Sequence, residues 1–335
     1  MEHLLVKKVY IVIVNWNGWQ DTVDCVQSLL SLNYSPCTVV ICDNGSKDES
    51  LHKLRDWMEE REIEWAEYTA AEAETGGVPS WDYPFVLIRN GENLGFAGGN
   101  NVALRYALAR DDFGYAWLLN NDTVVEPDAL DALVRRMQEE PSAGMCGSTV
   151  RYYDRRYKVQ AYGGGHYCSW VGLPWHYGRF VPPWFKADPA AAERSLNYVE
   201  GASLLVSREF IAEIGLMCED YFLYFEEADW ANRARRRFTL AYASKSVVYH
   251  KVGRSIGTRS NPRKKSYTCD YFNVRNRILF TRRYFPRALP TVYLVLLWAM
   301  LLRLLLLKFD RAVMIYKLLF GEGTGGLPSA REPRR

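Results

Sequence analysis

The stretch Phe222-Leu223-Tyr224-Phe225-Glu226-Glu227-Ala228-Asp229-Trp230-Ala231-Asn232-Arg233 sets three carboxylates within four residues at the expected start of a helix. On that helix Glu226, Asp229 and Arg233 share one face, and Glu227 turns away from them. Acids suit a helix N-terminus, so capping with an Asp229–Arg233 ion pair explains part of the pattern. The aromatic approach from Tyr221 to Phe225 is not needed for capping. Aromatic surroundings strip water from a carboxylate and raise its pKa toward that of a proton acceptor, while the helix dipole opposes the shift.

Other polar groups follow short apolar runs. Asn15-Trp16-Asn17-Gly18 succeeds Val9–Val14, and Asp43-Asn44-Gly45-Ser46 succeeds Thr38–Cys42. Asp-Asn-Gly-Ser is a good turn sequence, and at a strand end its aspartate also suits a nucleobase or ribose. Asn93-Leu94-Gly95-Phe96-Ala97-Gly98-Gly99-Asn100-Asn101 opens a helix. Its glycines permit close backbone approach and its N–H groups suit a diphosphate. The spacing is not G-x-G-x-x-G, and a turn that merely packs is the alternative. Tyr115–Leu119 runs into Asn120-Asn121-Asp122. There Asp122 offers a carboxylate to a hard cation such as Mg²⁺, and Asn120 or Asn121 offers a hydrogen bond to a sugar or a metal-bound water. His250, after the strand-like Ser246–Tyr249, is either structural or the completion of that metal site.

These groups need a scaffold that gathers them. Strand-like runs at Val9–Val14, Thr38–Cys42, Phe85–Ile88, Tyr115–Leu119 and Met145–Val150 alternate with helical patterns at Ser50–Arg61, Gly98–Arg110 and Pro127–Glu139. Such alternation predicts an α/β fold with a mostly parallel, doubly wound sheet, whose ligands bind beyond the carboxyl ends of the strands. Ile63–Tyr83 reads as a surface insertion without chemistry. Tyr152–Tyr198, irregular and aromatic, reads as a mobile substrate-side region, followed by a strand-helix unit from Ser203 to Ile214.

With 335 residues, 48% hydrophobic and 24% charged, the chain is neither disordered, collagen-like nor a bundle of membrane spans. Its seven cysteines show no zinc spacing and read as reduced, cytosolic thiols; the six-residue apolar run near the N-terminus is too short for a signal peptide. Charge is lopsided. Lys251–Arg311 carries fourteen Lys/Arg against two acids, a balance of +12, and the remainder carries −9. Within that segment Thr291–Leu307 is apolar except for Arg303, with basic flanks on both sides. A spanning helix has its basic excess on one side, so the pattern favours a helix lying in an anionic membrane surface, Arg303 reaching to the headgroups. A buried helix would not explain the surrounding basic density.

VIVNWNG, ICDNGSKDES, NLGFAGGNN, LLNNDTVVEPDAL, EGASLLVSRE, FLYFEEADWANRAR and VYHKVGRSIG occur in that order over about residues 9 to 257, with Tyr271–Arg277 beyond. In this the sequence resembles the inverting family 2 glycosyltransferases of the GT-A fold, and most their bacterial rhamnosyltransferase-like branch. The resemblance implies a GT-A domain over residues 1–260 (a nucleotide-binding half, 1–150, and an acceptor and catalytic half, 151–260), then a basic, amphipathic segment, 261–335. It implies Glu227 as catalytic base, where the family usually has aspartate, and Asp122 with His250 as ligands of Mg²⁺ or Mn²⁺, Asn120 standing where the family has a first metal aspartate. Donor contacts fall on Asn15, Asn17, Asp43, Asn44, Ser46, Asn93, Gly95, Gly98, Asn120 and Asn121. Acceptor contacts fall on Gly201, Ala202, Asp229 and Trp230. The implied partners are a dTDP- or UDP-type sugar donor, a glycan or polyprenyl-linked acceptor and an anionic membrane surface, with no nucleic acid, at the cytoplasmic face of the membrane as a peripheral or monotopic protein. A sugar-1-phosphate nucleotidyltransferase would need an N-terminal phosphate loop that is absent near Val14. A non-catalytic membrane or nucleic-acid binding protein would use residues 251–311.

Overall fold

The computed structural model describes residues 6–78, 81–179, 181, 188–252 and 266–321. Gly253-Arg254-Ser255 and the basic run Arg263-Lys264-Lys265 lie outside the described residues.

Side-chain alternation along β1 (Val9–Asn15) sends Tyr10 and Val12 into one apolar cluster and Val9, Ile11 and Ile13 into another. A strand apolar on both faces must be covered on both, which parallel strands with crossover helices achieve. The chain continues through α1 (Trp19–Leu29), β2 (Cys37–Asp43), α2 (Ser50–Glu59), β3 (Trp65–Thr69), α3 (Ala70–Glu74), β4 (Phe85–Arg89), α4 (Gly95–Arg110) and β5 (Tyr115–Asn120). Next come β6 (Thr123–Val125), α5 (Ala129–Glu139), β7 (Ala143–Tyr152), β8 (Arg155–Tyr162), β9 (Gly164–Cys168), β10 (Leu173–His176), α6 (Pro189–Ser195) and β11 (Tyr198–Val199). The remaining elements are β12 (Ser203–Ser207), α7 (Arg208–Ile214), α8 (Glu226–Ala234), β13 (Thr239–His250), α9 (Tyr267–Tyr284), α10 (Leu289–Leu305) and α11 (Phe309–Phe320).

The main sheet runs β3-β4-β2-β1-β5-β12-β7-β13-β6, with β8 also on β7. Its first five strands are parallel, and β12 joins β5 to β7 antiparallel to both. Helices α4, α7 and α8 contribute to the cluster on one face, and α1, α2 and α5 to the other. Register does the functional work: Asn15 pairs with Asp43, and Val14 with Asn120. The loops after β1, β2 and β5 therefore leave from one rim. At the far edge His250 pairs with Thr123, which brings β13 to the residue after Asp122.

Two expectations change. Residues 63–83, expected as an insertion, supply β3, the edge strand of the sheet. Trp65-Ala66-Glu67-Tyr68-Thr69 has the mixed polarity of a half-buried edge, with Glu67 paired to Arg55 and Arg89, so no continuous apolar run announces it. The aromatic stretch from Tyr152 to Tyr198 is regular over much of its described length. It holds β8 and a second sheet, β10-β9-β11. Close backbone packing seats it: a Cβ on Gly147 of β7 would sit 1.9 Å from the Gly163 carbonyl oxygen, and one on Gly164 would sit 2.1 Å from that of Tyr198.

The C-terminal helices are joined to this body. Phe280 of α9 enters the main core, and Phe272 and Ile278 pack with Val292, Leu296 and Ile315 of α10 and α11. Residues Pro286–Leu305 are long and apolar enough by length and composition to cross a membrane. Arg303 does not reach outward: it turns to the buried Asp270, 2.9 Å away, because the inward carboxylate offers a better partner than the apolar helix surface. Leu294, Trp298 and Leu301 to Leu307, apart from Arg303, present exposed apolar surface.

Candidate active site

One cavity of about 920 Å³ opens at the rim and is lined by Trp16, Asn44, Asn93, Asn120, Asp122, His250, Gly201, Ala202 and Glu227. Distant stretches of the chain thus share a single space.

The wall at the ends of β1, β2 and β5 is backed by amides, with Asn15, Asn17, Asp43 and Ser46, expected as donor contacts, behind the lining. Asn15 is buried and donates to Asp43 Oδ2 at 2.9 Å and to the Ser46 hydroxyl at 3.1 Å; Asp43 Oδ1 accepts the Ser46 N–H. Asn17 Oδ1 accepts the Lys47 N–H, closing the two loops on each other. Asn44 Oδ1 accepts from Leu94 N, and the Asn44 amide donates to the Gly95 carbonyl. Asn121 donates to Thr22 Oγ1, tying the β5 end to α1.

The glycine-rich turn is a joint rather than a cradle. Its leading N–H groups are already engaged: Leu94 on Asn44, Gly95 on Asn93 Oδ1, and Phe96 on the Phe222 carbonyl at 2.7 Å. Gly95 has φ +74°, and a Cβ there would lie 2.4 Å from the Phe222 carbonyl oxygen; one on Gly98 would meet the Leu94 side chain at 2.7 Å. The alternative reading, a turn that packs, therefore holds for Gly98, which lies off the cavity wall, although Asn93 and Gly95 line it.

Asp122 and His250 come together at the end of β5 and β13, with His250 Nε2 3.1 Å from Asp122 Oδ1. A carboxylate and an imidazole are side chains that would fit a divalent cation. No group of three or more metal-type side chains occurs among the described residues. Burial opposes the charged form of His250, but the adjacent Asp122 carboxylate more than offsets it and raises the pKa. His250 Nδ1 lies 3.0 Å from Gln160 Oε1, and Gln160 Nε2 donates to Glu200 Oε1 at 3.3 Å. His176 Nδ1 stands 3.3 Å from the other Glu200 oxygen.

Glu227 faces this chain of groups. Burial, with the nearby Glu200 charge adding to it, pushes its carboxyl up to about 7. Loss of solvent thus outweighs the helix N-terminus. Glu226 is also raised, by burial and then by Glu227, and its Oε1 has no hydrogen-bond partner among the described residues. The two acids stand at the start of α8 because the preceding loop is forced there. Phe222, Tyr224 and Phe225 all have φ between +61° and +79°, which costs non-glycine residues on the order of 1 kcal/mol or more each. Asn276 on α9 holds that loop, its Nδ2 lying within 3.0 Å of the carbonyls of Tyr221, Leu223 and Tyr224.

Two expected acceptor contacts are elsewhere. Asp229 is fully buried, receiving bonds from Tyr221, Tyr284 and Arg233. Trp230 is fully buried against Phe210, with its indole N–H on the Gly215 carbonyl. Helical periodicity turns both away from the cavity, which neither lines. Gln160, His176 and Glu200 were not singled out from the sequence. Only Glu200 carried a signal, as the charged residue just before the buried β12.

A doubly wound sheet with this rim-side cavity is the architecture of a GT-A enzyme, and the comparisons agree. The family model "Glycosyl transferase family 2" matches residues 10–188. The chain belongs to that family. An N-acetylglucosaminyl-diphospho-decaprenol L-rhamnosyltransferase of Mycobacterium tuberculosis is 26% identical over 190 residues, 52% of this chain and 62% of that protein. The low-salt glycan biosynthesis hexosyltransferase Agl10 of Haloferax volcanii is 21% identical over 238 residues, 70% of this chain and 64% of that one. The chain thus spans less than two thirds of the length of these relatives. Among solved structures, the mannosyltransferase PcManGT of Pyrobaculum calidifontis, in complex with GDP-Man and Mn²⁺, superposes with a TM-score of 0.57 at 14% identity, covering 95% of this chain and 89% of that one.

Proposed function

We propose that this chain is an inverting sugar transferase that moves a hexose, rhamnose favoured, from a dTDP- or UDP-type donor to a polyprenyl-linked acceptor at the cytoplasmic membrane face. The observation that carries the reading is the shared cavity: a carboxylate poised near neutral pH, Glu227, faces the Asp122–His250 pair. The rhamnosyltransferase relative supports the sugar and the lipid-linked acceptor, and the exposed apolar surface of α10 with its basic flanks supports membrane seating.

Glu227 takes the proton from the acceptor hydroxyl as its oxygen attacks the anomeric carbon from the face opposite the leaving group. The bond from that carbon to the diphosphate oxygen breaks with its electron pair, and the configuration inverts. Asp122 and His250 would hold a divalent cation, which when bound would supply charge neutralisation to the departing diphosphate. Asn15, Asp43 and Ser46 fix the β2 loop that faces the nucleoside, and Asn44 fixes the adjoining turn. Gly201 keeps its Cα side open beside the Glu227 carboxyl, where a Cβ would come within 3.7 Å, leaving room for an acceptor.

A thermal-shift panel of nucleoside diphosphate sugars with Mn²⁺, followed by transfer to a sugar-diphosphoryl polyprenol, tests this. The expected result is stabilisation by one donor and a product of inverted anomeric configuration by NMR. Retention of configuration, or no donor binding with Mn²⁺ present, overturns it.

A further inference from the structure

At the C-terminal end of the cavity the lining changes character. Arg277 of α9, Arg303 of α10, Lys308 and Arg311 all contribute to the wall, with the single carboxylate of Asp270 among them. Asp270 is shared by Arg303, at 2.9 Å, and Arg311, at 3.2 Å. Among the described residues one lining carboxylate stands with four lining cations, and Asp310 lies 4.0 Å from Arg311, so the wall at this end is net positive. Arg277 is only 8% exposed; its Nη2 bonds Asn273, but its Nε has no partner among the described residues. Burial, with the like charge of Arg303 adding to it, brings this guanidinium down to about 10, so it remains protonated at neutral pH. Holding charged guanidiniums together in a partly desolvated wall is unfavourable unless an anion joins them. Guanidinium groups are suited to phosphate because their fork of donors matches two oxygens at once.

The rim beside this cluster is apolar. Leu302 and Leu306 line the cavity and are also exposed, and Leu305 and Leu307 next to them are 70% and 75% exposed. An occupant that satisfies both features has an anionic head and a hydrocarbon tail. The same cavity continues to Glu227, so the group attached to that head lies toward the carboxylate.

We infer that Arg277, Arg303, Lys308 and Arg311 form the binding subsite for the diphosphate of a polyprenyl-diphosphate-linked acceptor, the leucine rim receiving the first units of its chain. This deepens the proposed function and rests on it for the identity of the sugar end. The positive subsite sets the acceptor apart from the donor diphosphate, which belongs at Asp122.

The test is direct binding to the full-length protein. Farnesyl diphosphate, farnesol and phosphatidylglycerol vesicles are compared by calorimetry, with wild type, Arg277→Gln and Lys308→Gln. Farnesyl diphosphate should bind at least tenfold more tightly than farnesol, and each variant should narrow that ratio about tenfold while its circular dichroism and urea midpoint stay near wild type. Lys308→Gln alters a half-exposed side chain and keeps the test valid should Arg277→Gln unfold. Equal affinity for farnesyl diphosphate and farnesol overturns the inference, as does an unchanged ratio in a folded variant. Phosphatidylglycerol vesicles that displace farnesyl diphosphate in proportion to accessible headgroup would reassign the cluster to the membrane surface and also overturn it. Farnesyl diphosphate binding without any sugar transfer would remove the proposed function and leave the subsite standing. Transfer without selective diphosphate binding would do the reverse.

Discussion

Replacing Glu227 by glutamine should make the protein more stable while stopping transfer. The folded state holds this carboxyl near 7, whereas an unfolded chain would ionise it near the ordinary glutamate value of 4.5. Below that value both states are protonated, and the group is neutral in its effect. As pH rises toward 7 the unfolded chain releases the proton first, so wild type loses stability across that window; above 7 the loss is complete. At about 1.4 kcal/mol per unit, the full difference is on the order of 3 kcal/mol. Glutamine imitates the protonated acid and removes this penalty. It also relieves Glu226, whose carboxyl is raised in part by its neighbour. Urea melts of wild type and Glu227→Gln from pH 5 to pH 8, with chelator and without donor, should show the variant's advantage growing from about 1 kcal/mol to about 3 kcal/mol. A gain that is flat with pH, or a less stable variant at pH 8, would refute the claim that burial strains this carboxylate.

In the transfer assay, kcat/KM should rise with pH through about 7 as Glu227 ionises and then level off; a profile flat from pH 5.5 to 8 would remove Glu227 as the base. Asp122→Asn should abolish the extra thermal stabilisation that Mn²⁺ adds to donor binding; an unchanged Mn²⁺ increment would place the cation elsewhere. Asn276→Ala should cost roughly 2–4 kcal/mol in denaturant melts, because three carbonyls of a strained loop lose their shared donor. It should also lower kcat by at least tenfold with donor binding retained, and an effect below 0.5 kcal/mol would show that the loop holds itself.

The rim was legible in the sequence because strands buried on both faces are announced by uninterrupted apolar residues, and the residues just after them inherit their position. Asn15, Asp43, Asn120 and Asp122 were found that way. The edge strand β3 was not, since half-buried residues such as Glu67 and Thr69 carry polarity that reads as loop. Nor was the purpose of the glycine-rich turn: that Gly95 meets the Phe222 carbonyl depends on a contact between residues more than a hundred positions apart. Asp229 and Trp230 were misplaced because a cluster of acids and aromatics near the base suggests proximity to substrate, and only the packing of α8 on Phe210 and Tyr221 shows which face is inward. The relay from His250 through Gln160 to Glu200 needed three strands to be placed before any of it could be seen.

Under the proposed function, Asn276 makes the C-terminal segment a partner in catalysis and not an appendage. The helix that carries it presses one flank on α10 and α11 and the other on the strained backbone that leads into Glu227. The C-terminal helices and the loop before the proposed base therefore share a single post. Exchanging tails between relatives as interchangeable cassettes would loosen that loop unless the post travels with it.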